Sequence, residues 1–138
     1  MYIEIFAVCE AANDSLGRLN LLGAFDTIGA VATPAVHPQL TVVARIRINQ
    51  AEQGSHPLHV QIVDQDGAPI ATAEGAFEVY AIDRDPSAST NLIITFHNLT
   101  FDRFGIYTVN LRIDDIPRSS IPLNIKPMPM PGVGATHD

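Results

Sequence analysis

The sequence predicts an all-β domain, an antiparallel Greek-key β-sandwich of about eight strands with immunoglobulin-like order, or a jelly roll as the alternative. Three observations carry this. Apolar residues recur at every second position over most of the chain, turn formers separate the runs, and no segment has the spacing of a stable helix. A period of two belongs to strands, whose successive side chains point to opposite faces of a sheet.

Tyr2 to Ala11 is the first apolar run, and Arg18 to Ala30 the second. Between them Glu10 to Leu16 is the one place to consider a helix, but Asn13-Asp14-Ser15 makes it a loop. Leu40, Val42, Ala44, Ile46 and Ile48 then define a core face, against Thr41, Val43, Arg45, Arg47 and Asn49 on a wetter one. Leu58, Val60 and Ile62 repeat the pattern against His59 and Gln61. Asp66-Gly67 follows as the best hairpin signal, because glycine accepts the positive φ of a primed turn. Ala71 to Ile82 and Leu92 to Leu99 are β-prone with weaker alternation. Tyr107, Val109, Leu111 and Ile113 form the most regular strand, and Ile121, Leu123 and Ile125 the last. The expected domain spans residues 1–126. Residues 127–138, with prolines at alternate positions in Pro127-Met128-Pro129-Met130-Pro131, are expected to form an extended tail.

One local pattern narrows the topology. Asp102-Arg103-Phe104-Gly105-Ile106-Tyr107 places a tyrosine just inside a late strand after an acidic turn. Greek-key sandwiches use a tyrosine there to bond back to the preceding loop, so Tyr107 and Gly105 are expected to be structural. Cys9, alone in the chain and inside a strand, is expected to be a buried small hydrophobe.

Phe6-Ala7-Val8-Cys9-Glu10, followed by Leu16-Gly17-Arg18-Leu19-Asn20-Leu21-Leu22-Gly23, resembles the opening of a bacterial family of small uncharacterised proteins. Gly105-Ile106-Tyr107 and Ile121-Pro122-Leu123 extend the likeness over most of the chain. The resemblance implies a single β-sandwich domain in a bacterial cytoplasm. It implies no chemistry.

Composition excludes several classes. The formal net charge is −7 and the charged fraction 17%, so a basic face for nucleic acid is not expected. No run approaches the roughly 20 apolar residues of a membrane helix. Met1 to Phe6 has no basic region and carries Glu4, so no secretory signal is expected; an unpaired thiol fits the cytoplasm.

Candidate sites are sparse. No nucleophile elbow, phosphate loop or dinucleotide fingerprint occurs, so no catalytic residue and no cofactor are expected. His56, His59 and His97 can be drawn as metal ligands for a hydrolase or isomerase, but His56 and His59 fall on opposite faces of a strand. Asp64-x-Asp66-Gly67 begins like a calcium loop, yet its twelfth position is Gly75 instead of a bidentate glutamate. The absence of tryptophan weighs against sugar stacking, though a small-ligand or carbohydrate-binding module stays open.

The surface suggests more than the motifs do. Lys126 is the chain's one lysine, whereas exposed sheet edges are usually blunted with lysine. Val43, Val63, Ile93 and Ile106 occupy nominally outer positions. A non-enzymatic domain acting by protein–protein binding or homo-oligomerisation is therefore the leading expectation, although a GC-rich genome alone gives the same preference for arginine. Arg45, Arg47 and Arg112 would share an interaction face if the Leu40 and Tyr107 strands were neighbours.

Overall fold

A computed structural model describes residues 1–80 and 87–129. They form nine strands: β1 (Tyr2–Ser15), β2 (Arg18–Ala24), β3 (Thr27–Ala30), β4 (Ala35–Asn49), β5 (Gly54–Val63), β6 (Pro69–Val79), β7 (Ser87–Phe101), β8 (Gly105–Ile113) and β9 (Ile116–Pro127). A single 3-10 turn over Gln50–Glu52 joins β4 to β5. Among the described residues no helix is long and apolar enough to cross a membrane.

The strands make two sheets, a four-stranded one in the order β2-β1-β4-β7 and a five-stranded one in the order β3-β9-β8-β5-β6. Every pairing is antiparallel except β3 with β9. One core lies between them. Leu40, Val42, Ala44, Ile46 and Ile48 of β4 meet Leu58, Val60 and Ile62 of β5 and Tyr107, Val109, Leu111 and Ile113 of β8. These are the inward positions of the period-two pattern, and burying them supplies the main driving force for folding. Phe101 and Tyr107 close one end edge-to-face, ring centroids 4.9 Å apart.

The elements depart from the sequence pattern in four places. The 18–30 run is two strands, because Phe25-Asp26 carries the chain from one sheet to the other: Phe25 N donates to Val8 O, and Asn124 N donates to Asp26 O. Glu10 to Ser15 is strand, not loop; it pairs with β2 as far as Ser15 opposite Arg18. The fold runs past residue 126, since Pro127 still pairs with Ala30 and Met128 N donates to Ala30 O. The rest of the expected tail from residue 130 lies outside the described residues.

The fourth departure concerns the wet face of β4. Val43 is 0% exposed and Thr41 1%, although both point away from the core. The cover comes from the chain itself. β1 pairs with β4 only as far as Cys9 opposite Thr41, and from Cys9 onward it pairs with β2. The turn of this hairpin then doubles back to the level of Arg45 and Asn91, four residues further along β4 and its neighbour. Asp14 and Ala12 stand opposite Leu19 and Leu21, and Asp14 bonds to β7, so this side of the hairpin lies on the sheet. Cys9 is thereby fully enclosed, and burial pushes its thiol pKa up.

Candidate functional site

Arg45 and Arg47 stand on the covered face and are engaged within the chain. A β-bulge between Ile3 and Ile5 makes Glu4 an extra residue on β1. Its Oε2 accepts from Nε and Nη2 of Arg47 at 3.2 and 2.9 Å, and its Oε1 lies 3.2 Å from Nε of Arg45. The hydrogen bond from Arg47 holds the Glu4 carboxyl below the usual carboxylate range, against partial burial, with the positive charges of both arginines adding to it. Arg45 Nη1 also donates to Asn91 Oδ1 at 2.8 Å and to Gly17 O at 3.2 Å. Asn91 Nδ2 donates to Asp14 Oδ2 and Gly17 O at 2.9 and 3.2 Å. Arg45, with Asn91, therefore pins the hairpin to the sheet, while Arg47 holds Glu4 of β1.

Arg112 does not join them. β4 and β8 belong to different sheets, so the condition for a shared arginine face fails. Alternation along a strand gives the face but not the sheet. Arg112 lies outward on the five-stranded sheet, where its Nη2 donates to Asp115 O at 2.8 Å.

The three histidines do not converge either. His56 Nδ1 lies 2.7 Å from Asp114 Oδ2, and its Nε2 lies 2.6 Å from Glu52 O. Its ring stacks on Phe77, the residue opposite it on β6. The bond to the Glu52 carbonyl, and then that to Asp114, raise its pKa despite partial burial. His59 faces the other side of β5, 3.4 Å from Glu74. His97 is exposed on β7, in the other sheet. Among the described residues no group of three or more potential ligands is placed to hold a metal ion.

Asp64 and Asp66 build a turn. Asp64 Oδ1 accepts from the backbone of Asp66 and Ala68, while Asp66 Oδ2 accepts from Arg103 at 2.9 Å. The Ala68 amide, outweighing partial burial, holds the Asp64 carboxyl low, with the Asp66 amide and Arg103 helping. Arg103 belongs to the β7–β8 loop, and Tyr107 closes that loop. The Tyr107 hydroxyl donates to Arg103 O at 2.9 Å and accepts from Arg103 N at 3.1 Å. Gly105 has φ +124°, and a Cβ there would approach Gln65 Nε2 to 3.0 Å, so both backbone and space favour glycine.

The feature that stands out for function is an edge. Two sheets have four edges, and three carry devices that discourage strand addition. β6 has Pro69, Glu74 and Glu78; β2 has Arg18 and a glycine at φ +67°; β3 is only 4 residues long. β7 has none of these. Ser87 to Phe101 contains no Asp, Glu, Lys, Arg or Pro, and among the described residues pairs with β4 alone, from Asn49 to Ala35. Its inward residues Leu92, Ile94 and Phe96 pack against the core but are only half-buried. Asn98, with φ +53° opposite Pro38, ends the regular stretch, leaving Ala88 to His97 unbroken. The composition holds a single lysine, Lys126; which strand is left unguarded follows from the strand order.

Comparison with known proteins adds little chemistry. No curated protein matches the sequence. Among solved structures, the chain is similar to Pseudomonas fluorescens alkylpurine DNA glycosylase AlkC bound to DNA containing an abasic site analog, with a TM-score of 0.47 and 9% identity. That match covers 88% of this chain but 30% of the glycosylase chain. Likeness at this level assigns nothing to this protein. A family of unknown function, DUF6941, matches residues 4–126, from the Glu4 bulge to the end of the core strands, and the chain belongs to that family.

Proposed function

We propose that this domain works by binding rather than catalysis, and that it assembles with a second copy of itself by pairing β7 edge to edge. The observation that carries the reading is the uncharged, proline-free stretch from Ala88 to His97 with its outer side unpaired among the described residues. Antiparallel self-pairing there would join two four-stranded sheets into one. It would set Leu92, Ile94 and Phe96 of the copies side by side and complete their burial. With a net charge of −7 on each chain, contact is least opposed along an uncharged strand. The enclosed Cys9 and the separately engaged His56 and His59 support a non-catalytic role. An unpaired buried thiol also fits a reducing compartment.

We also read the fold as an immunoglobulin-like Greek-key sandwich. Its supports are the pairings of β4 with β7 and of β5 with β8, and the crossings between sheets from β4 to β5 and from β7 to β8. The parallel pairing of β3 with β9 and the hydroxyl bonds of Tyr107 to the Arg103 backbone agree with it.

Amide hydrogen exchange tests the binding mode. Self-pairing predicts that successive amides from Ala88 to His97 are protected at high protein concentration. Protection at every second residue, unchanged by concentration, would overturn it.

A further inference from the structure

The chain contains a second bulge that presents a charge, and this one is unanswered. Between Leu111 and Arg112 the β8–β9 register shifts: Leu111 pairs with Ser119 and Arg112 with Pro117, so Arg118 is the extra residue. Bulges re-aim a side chain and occur next to functional sites. The Glu4 bulge is met from within by charge: Arg47 donates to Oε2, and Arg45 Nε lies 3.2 Å from Oε1, an ion pair without a hydrogen bond. The Arg118 bulge is not. Arg118 Nε is buried with no hydrogen-bond partner, and among the described residues the arginine ion pairs are those of Arg45, Arg47 and Arg103. A buried donor left without an acceptor is an exception that calls for an explanation, and the acceptor oxygen of a ligand would satisfy it.

The surroundings suit an anion. Arg112, Arg118, Gln61, Asn110, Ser119 and Ser120 line an open depression of about 410 Å³ on the outer face of the five-stranded sheet. Among the described residues no carboxylate lines it. Ser120 Oγ donates to Asn110 Oδ1 at 2.8 Å, which fixes the Asn110 amide with its NH₂ group still available to donate. Two guanidinium groups and an amide offer donors in number and few acceptors. Guanidinium forks match the paired oxygens of carboxylate and phosphate. The net charge of −7 opposes a polyanion, so the fitting ligand is small.

We propose that this depression binds a small ligand through an oxyanion, a carboxylate or a phosphate group, gripped by Arg118 and Arg112 with the Asn110 amide beside them. The site faces away from the core on the sheet that lacks β7, so it does not depend on the assembly proposed above.

Arginine Nε–H groups are visible in ¹⁵N–¹H spectra, which gives a direct test on the full chain. The protein is titrated with inorganic phosphate, with glucuronate and, as a neutral control, with glucose. Phosphate or glucuronate should move the Arg118 Nε–H signal and the Ser119 and Ser120 amides saturably at low-millimolar concentration, while glucose leaves them in place. A response to phosphate alone identifies a phosphate ligand, and a response to glucuronate alone a carboxylate. Arg118→Gln should weaken binding about tenfold or more, the loss expected for a charge-assisted hydrogen-bond pair. Arg18→Gln, on β2 of the other sheet, should change nothing. The proposal is overturned if neither anion gives a saturable shift, if glucose shifts the same signals as strongly, or if Arg118→Gln binds as tightly as the parent. Should Arg118→Gln fail to fold, the titration of the parent decides alone.

Discussion

Arg45 Nη1 and Asn91 Oδ1 lie 2.8 Å apart, and the side chains of both residues donate to the same carbonyl, that of Gly17, at 3.2 Å. This pair brings together β4, β7 and the β1–β2 turn, three segments far apart in sequence. It explains why valine and threonine on the outward side of β4 are buried without a second molecule. The covered part of that face is satisfied within the chain. The candidate for an outside partner thus moves to the edge of β7, whose outer side pairs with no other strand among the described residues.

Removing the clamp should expose what it covers. In the parent protein Cys9 should react with a thiol reagent only on unfolding, because it is 0% exposed. Arg45→Ala combined with Asn91→Ala should lower stability by about 1–3 kcal/mol and make Cys9 reactive under native conditions. The readout is the rate of thiol modification without denaturant; an unchanged rate in the double variant would show that the hairpin holds without this pair.

Tyr107→Phe should cost about 1–3 kcal/mol in urea unfolding, since it leaves the Arg103 amide and carbonyl without their shared partner while keeping the ring against Phe101. A loss near zero would mean that water replaces the hydroxyl. Gly105→Ala should also destabilise, because φ +124° strains any side chain and Gln65 must move.

Stability should depend on pH through His56. Its folded pKa is raised by the Glu52 carbonyl and by Asp114, so the folded state binds the proton more tightly than the unfolded chain does. The contribution is complete below the unfolded value of about 6.5 and is lost as pH rises through the elevated folded value. Urea midpoints measured from about pH 6 to 8 should therefore fall, and Asp114→Asn should flatten that fall. A midpoint that rises over this range would contradict the assignment.

Leu16 is 99% exposed at φ +53°, ahead of Gly17 at φ +81° in a two-residue turn that asparagine suits far better. Leu16→Asn should stabilise the protein by about 0.5–1 kcal/mol, measured by thermal or urea unfolding. Destabilisation would show that the leucine contributes something its exposure hides.

Period-two alternation made the core faces of β4, β5, β8 and β9 readable, because inward position is a local property of a strand. What depended on distant partners was not readable in the same way. Ala11 to Ser15 has no apolar alternation and is held as strand by β2 and by bonds from Asn91 to Asp14 and Gly17. Arg45 and Arg112 both read as outward, yet they stand on different sheets, which only strand order decides. Val43 announced a covered face, but nothing near it in sequence said that residues 12–21 were the cover. The bulge at Arg118 has no signature in the sequence beyond a proline and a pair of serines in a strand, and its depression has none.

The mass of the protein in solution tests the central claim most directly. Sedimentation equilibrium from micromolar to millimolar concentration should give a dimer in exchange with monomer. Ser89→Lys with His97→Lys, on the outward side of β7, should abolish the dimer while leaving the β-sheet circular dichroism unchanged, because lysines on an edge oppose strand addition. A parent protein that stays monomeric throughout this range, or a dimer that survives both lysines, would contradict assembly through β7.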